Sequence, residues 1–133
     1  MPFTVQVVTP DREVSVCDDA KLLIAKGIEG DIGIMAGHAP VLIALSVGPL
    51  TLVREGDVRQ TMVVDGGFLQ MNGETAIVLA EYVILPQEID IEATRAEITE
   101  LERRIAADGE AVEEKSRLAR AKAIEAVHGI ERM

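Results

Sequence analysis

The period of the sequence changes at Pro86, and that change constrains the fold more than any other feature. Upstream, apolar and polar residues alternate in short runs broken by Gly, Asn and Asp, as in half-buried strands. Downstream, glycine becomes rare, Ala and Glu become common, and apolar residues recur at helical spacing. A chain of 133 residues that switches period once is expected to be α+β. The expectation is an N-terminal antiparallel β-sandwich or barrel over 1–85, followed by a C-terminal antiparallel two-helix hairpin over 86–133.

Phe3-Thr4-Val5-Gln6-Val7 alternates cleanly and reads as a first strand, with Thr9-Pro10-Asp11-Arg12 as its turn. Short strands follow around Glu13–Val16 and Lys21–Lys26. Val47–Val53 and Arg59–Val64 then flank Glu55-Gly56-Asp57, which has hairpin-turn chemistry. Asn72-Gly73 separates Gly67–Met71 from Thr75–Leu79 and suits the positive φ angles of a tight hairpin. Gly27, Gly30, Gly33 and Gly37 crowd around Asp31, but their flanks read as strands. Turns and close strand packing account for them better than a phosphate cradle, which needs a helix start. Asp65-Gly66-Gly67 is likewise read as turn chemistry.

In the helical half, Asp90 suits an N-cap, with Glu92 in the first turn. Ile91, Ile98, Leu101 and Ile105 share one face, and Ala107-Asp108-Gly109-Glu110 breaks the pattern. A second helix carries Val112, Ala119, Ala123, Ala126 and Val127 on a narrow seam, with Gly129 as its C-cap. Such a seam offers little apolar area at ~25 cal/mol per Å², against ~1–2 kcal/mol of backbone entropy per ordered residue. The hairpin is therefore expected to be marginal alone and able to rest in more than one place.

Asp and Glu number 23 against 13 Lys and Arg, a formal net charge of −10. That balance argues against nucleic acid, which needs clustered cations, and against adsorption to an anionic membrane. A basic protein surface is the natural counterpart. No apolar run approaches the ~18 residues of a membrane span, and MPFTVQVVTPDREV has no basic stretch followed by an apolar run. A soluble cytoplasmic protein is expected. Cys17, the single cysteine, is expected to be buried and inert, with no disulfide and no thiolate metal site.

Catalytic signatures are absent: there is no Walker loop, nucleophile elbow or His-Glu-x-x-His pair. A hydrolase would have to unite His38 with Asp31 and Ser46; a histidine bonded to turn backbone accounts for His38 more simply. Arg95, Arg103, Arg104, Arg117, Arg120 and Lys122 fit a solvated face paired with glutamates, each pair worth ~0.2–0.5 kcal/mol. They also offer an anion site if the helices bring them together.

Several segments, in order, resemble the epsilon subunit of F-type ATP synthases. They are Val5–Pro10, Glu29-Gly30-Asp31-Ile32-Gly33-Ile34-Met35-Ala36-Gly37-His38-Ala39-Pro40, Val64-Asp65-Gly66-Gly67-Phe68, Leu85-Pro86-Gln87-Glu88-Ile89-Asp90 and Arg120-Ala121-Lys122. The resemblance implies a non-catalytic rotor subunit that binds the gamma subunit and sits on the ring of c subunits, coupling proton flow to ATP synthesis. It implies that Asp31 faces the c ring and that His38 lies near the gamma contact. The location implied is the cytoplasmic face of the bacterial cell membrane, reached only through the complex. The same family's hairpin can extend toward the alpha and beta subunits and inhibit ATP hydrolysis.

No cofactor is required, but some members bind ATP through Ile/Leu-Asp-x-x-Arg-Ala and arginines on the second helix. Read from Ile89-Asp90, the Arg position here is Ala93; read from Ile91, the acid is Glu92, followed by Arg95-Ala96. Either Glu replaces Asp or the spacing differs. Arg120 matches one second-helix arginine, and the next is replaced by Ile124. By resemblance, Glu92, Arg95 and Arg120 are the residues for a regulatory ATP. A generic interaction module of the same plan is the alternative, distinguished by whether a gamma-type partner co-purifies.

Overall fold

A computed structural model describes residues 2–131. Seven strands come first: β1 (Phe3–Val8), β2 (Glu13–Gly27), β3 (Gly30–Ile34), β4 (Val41–Ala44), β5 (Gly48–Arg54), β6 (Val58–Met71) and β7 (Thr75–Ile84). Two helices follow, α1 (Ile91–Ala107) and α2 (Val112–Glu131). The strands run in the order β1-β7-β6-β5-β2-β3, with β4 also on β6, and a β1–β2 pairing closes the ring. All pairs are antiparallel except β1–β7, which is parallel.

Two long strands make the sandwich. The 15-residue β2 pairs first with β1, then with β5 and β3. The segments expected as separate strands at Glu13–Val16 and Lys21–Lys26 are thus one strand serving two neighbours in turn. The same holds for β6, which pairs with β5 through Val64 and with β4 from Phe68. Asp65-Gly66-Gly67 is therefore a mid-strand kink and not a turn, with Gly66 and Gly67 at φ 77° and 103°. A Cβ on Gly67 would collide with the Leu79 carbonyl, so only glycine fits there.

Side chains alternate as strand geometry requires. Phe3, Val5 and Val7 of β1 point inward, as do Leu50 and Leu52 of β5 and Leu69 and Met71 of β6. The core is almost wholly aliphatic. Cys17 is buried within it, its thiol donating to Asp19 Oδ1 at 3.2 Å; burial raises its pKa.

Glu55-Gly56-Asp57 forms the expected connection as a 3-10 turn, with Gly56 and Asp57 at positive φ. The Asn72 turn works differently from the expected Asn-Gly pair. Only Gly73 has positive φ, while Asn72 Oδ1 accepts from the backbone N–H groups of Glu74 and Thr75 at 3.0 and 2.9 Å. The side chain substitutes for a turn hydrogen bond.

Asp90 caps α1 by accepting from the Ala93 N–H at 3.1 Å. The hairpin lies folded against the sandwich, with α2 facing β5 and β6. The expected α2 seam holds only in part: Val127 is buried and Ala123 half-buried, but Ala121 and Ile124 are buried beside them, whereas Val112 is 73% exposed and Ala119 and Ala126 are exposed. Helix α2 has two neighbours, α1 and the sheet, and the sheet selects a partly different stripe. Nor does Gly129 cap α2, which continues to Glu131.

Candidate functional site

Where α2 meets the sheet, Val63 of β6, Ile124 and Val127 form a small buried cluster, with Ile84, Ile89 and Ala123 packed around it. Val63 points away from the sandwich core, and α2 contributes the apolar partners that cover it. Beside this cluster stands Arg120. Its Nε donates to Asp65 Oδ2 at 2.6 Å, and its guanidinium carbon lies 4.0 Å from the centre of the Tyr82 ring. Asp65 and Tyr82 are register partners across β6 and β7, so carboxylate and ring present themselves together. A shallow cleft of about 400 Å³ opens here, lined by Asp65, Glu113, Ser116, Arg117 and Arg120.

The other residues selected from the sequence for a nucleotide lie elsewhere on the hairpin. Arg95 of α1 donates to Glu125 of α2 at 3.3 Å. Glu125 lies about 7.5 Å along the α2 axis from Arg120 and about 140° around it. Glu92 is exposed on the first turn of α1. Arg95 and Arg120 are therefore directed apart, each toward a carboxylate of the chain itself. Of the remaining cations, Arg103 and Arg104 share Glu100, and Arg117 and Lys122 face Glu97 and Glu102. The solvated-face reading describes these four.

Asp31 and His38 sit at opposite ends of β3. Asp31 is exposed and pairs in register with Lys26, near the β2–β3 tip. His38 is half-buried in the loop that follows, beside the Gly73 turn, and its Nδ1 donates to the Ala39 carbonyl at 2.7 Å. Asp31 to Ile34 alone spans about 10 Å of strand. Ser46 bonds through its backbone to Lys26, at the Asp31 end. No triad forms from these residues. Among the described residues no group of three or more His, Cys, Asp or Glu is placed to hold a metal ion, and no helix is long and apolar enough to cross a membrane.

Sequence reasoning missed two features. One is Asp65 with Tyr82, hidden because the glycines after Asp65 imitate a turn. The other is an exposed apolar strip on β4, β6 and β7. Leu42, Phe68 and Leu79 are 67, 50 and 49% exposed, and Phe68 and Leu79 face each other across the ladder. A shallow apolar hollow beside Phe68 is bordered by Val8 and Pro10. The signal was available: Leu69 and Val78 point inward, so Phe68 and Leu79 must point out.

Residues 2–86 match the family described as "ATP synthase, Delta/Epsilon chain, beta-sandwich domain". The ATP synthase epsilon chain of Brevibacillus brevis is 40% identical over 103 residues, 77% of each chain. That of Thermobifida fusca is 38% identical over 123 residues, 89% of this chain and 85% of the relative. A chain in the structure of the Euglena gracilis mitochondrial ATP synthase, OSCP/F1/c-ring in rotational state 1, has the same fold. It aligns with a TM-score of 0.85 at 21% identity, over 95% of this chain and 81% of that one. With relatives this similar spanning the sandwich and reaching into the hairpin, the chain belongs to the ATP synthase epsilon chain family.

Proposed function

We propose that this chain is the non-catalytic epsilon subunit of an F-type ATP synthase central stalk. In this reading the sandwich, 1–85, binds the gamma subunit and the c ring, and so couples proton translocation to ATP synthesis. The observation that carries it is the exposed strip of Leu42, Phe68 and Leu79 on a family-typical sandwich. Water-exposed aromatic and aliphatic side chains grouped on one sheet face mark a protein-binding surface. Asp31, exposed near the β2–β3 tip, is assigned to the polar loops of the c ring, and His38 to the neighbourhood of gamma. The chain reaches the cytoplasmic face of the bacterial membrane through these partners.

The hairpin, 86–133, is the regulatory part. It docks through a small apolar cluster, the partly buried Arg120–Asp65 pair and the more exposed Arg12–Glu88 pair, so release costs little compared with unfolding the sandwich. Once released, it extends toward alpha and beta and inhibits ATP hydrolysis. The test is to titrate full-length chain into an F1 complex lacking its epsilon subunit while following hydrolysis. Saturable inhibition, made stronger by Ile124→Ala, is expected; unchanged hydrolysis overturns the inhibitory role.

ATP is assigned as a regulator acting through Glu92, Arg95 and Arg120. It shifts the hairpin only by its differential affinity for the docked state, and Arg95 and Arg120 must leave Glu125 and Asp65 to meet its phosphates. Calorimetry of the isolated chain with millimolar ATP, using Arg95→Ala as control, decides this assignment. Heat that saturates and is lost in the variant is expected, and no heat removes ATP from the mechanism.

A further inference from the structure

We propose that Asp65 is a built-in anion for Arg120, and that Asp65, Tyr82 and Arg120 form a latch holding the hairpin against the sandwich without any ligand. The proposal deepens the reading of the hairpin as a mobile element and rests on it for its biological meaning.

Placement is the first argument. Among the described residues, Arg120–Asp65 is the one ion pair that joins a helix of the hairpin to the sheet. The pairs of Arg95, Arg103, Arg104, Arg117 and Lys122 all stay within the hairpin. The latch is also better shielded than these, with Asp65 25% and Arg120 39% exposed. Partial burial limits the solvent screening that makes surface pairs weak.

The strand supplies the second argument. β6 loses β5 as a partner after Val64 and gains β4 only at Phe68. Asp65 lies in that gap, immediately before two glycines at positive φ. A kink that tolerates no side chain at Gly67 thus sets the direction of the carboxylate. Glycine adopts these angles without a steric penalty, so the kink is a stable feature of β6. Tyr82, opposite Asp65, offers its ring face to the same guanidinium, and a cation–π contact adds to the charge-assisted hydrogen bond.

Ile124 supplies the third. It lies one turn beyond Arg120 and is buried against the sheet, so this part of α2 contributes an apolar anchor rather than a second cation. One arginine and one internal carboxylate satisfy each other.

Hydrogen exchange on the full-length isolated chain, without nucleotide, tests the proposal. Asp65→Asn and Tyr82→Leu should each lower protection of the α2 amides, Asp65→Asn by about tenfold. Protection of Met62 and Val78 in the sandwich core should stay unchanged. The exchanged pair Asp65→Arg with Arg120→Asp should recover part of the loss, which a merely structural role for Asp65 would not produce. Unchanged α2 protection in Asp65→Asn, or no recovery in the exchanged pair, overturns the latch. An F1 complex indifferent to the chain would instead refute the inhibitory function, leaving the latch result standing.

Discussion

Replacing Ile124 by alanine strips the branched side chain from the centre of the docking cluster. Ile124 is 7% exposed and packs with Val63 and Val127. Large-to-small changes at buried isoleucines cost about 2–5 kcal/mol. The low end, about 2–3 kcal/mol, fits a cluster this small, whose neighbours can close over part of the void. Since Ile124 lies outside the sandwich core cluster, the loss falls on docking and shifts the docked-to-released ratio by roughly 30- to 140-fold. Hydrogen exchange reads this directly as lost protection in α2, with the β5 and β6 amides unaffected. Trypsin adds a second reading through faster cleavage after Arg117, Arg120 and Lys122. Met62→Ala in the sandwich core should do the opposite, lowering the global unfolding free energy. If Ile124→Ala lowered protection equally in helices and strands, hairpin and sandwich would be one cooperative unit, and the reasoning would fail.

Gly67→Ala should lower the melting temperature sharply or prevent folding, because a left-handed backbone position and a blocked carbonyl coincide there; circular dichroism melting measures it. Glu100 accepts hydrogen bonds from Arg103 and Arg104, which hold its pKa at about 2, below its ordinary 4.5. A depressed folded-state pKa stabilises α1 above pH 4.5 and loses that contribution as pH falls toward 2. Helical signal followed through acid titration should therefore drop across this window, and Glu100→Gln should flatten that part of the curve. Glu88, whose carboxylate accepts from the Leu85 N–H and from Arg12, ties the Pro86–Glu88 turn to the β1–β2 turn. Glu88→Ala should loosen this linker and raise exchange at the start of α1.

What the sequence disclosed depended on how local the cause was. The Asp90 cap and the Glu55-Gly56-Asp57 connection are decided within a few residues, and both were legible. The strand alternation in β1 was equally plain, because one face meets the core and the other does not. Strands β3 and β4 were not foreseen: Gly30–Ile34 and Val41–Ala44 are short, and they pair with distant partners. The parallel β1–β7 pairing is likewise non-local.

Part of the α2 seam was misplaced, for a physical reason. Apolar period alone cannot say which of two neighbours a small-residue helix turns toward, and Val112 happens to continue the wrong stripe. Among candidate site residues, Arg120 donates to Asp65. That pairing joins positions 55 apart in the chain and carries no local signature. Ile124, noted only as a missing arginine, is an anchor of the docked hairpin.

The most direct test of the central claim is whether the purified full-length chain binds a gamma subunit. Size-exclusion chromatography of the mixture should give a stable complex, weakened by Phe68→Asp or Leu79→Asp while the free variants keep the wild-type melting temperature. No complex with gamma, or with an F1 assembly lacking its own epsilon chain, would contradict the assignment to the central stalk.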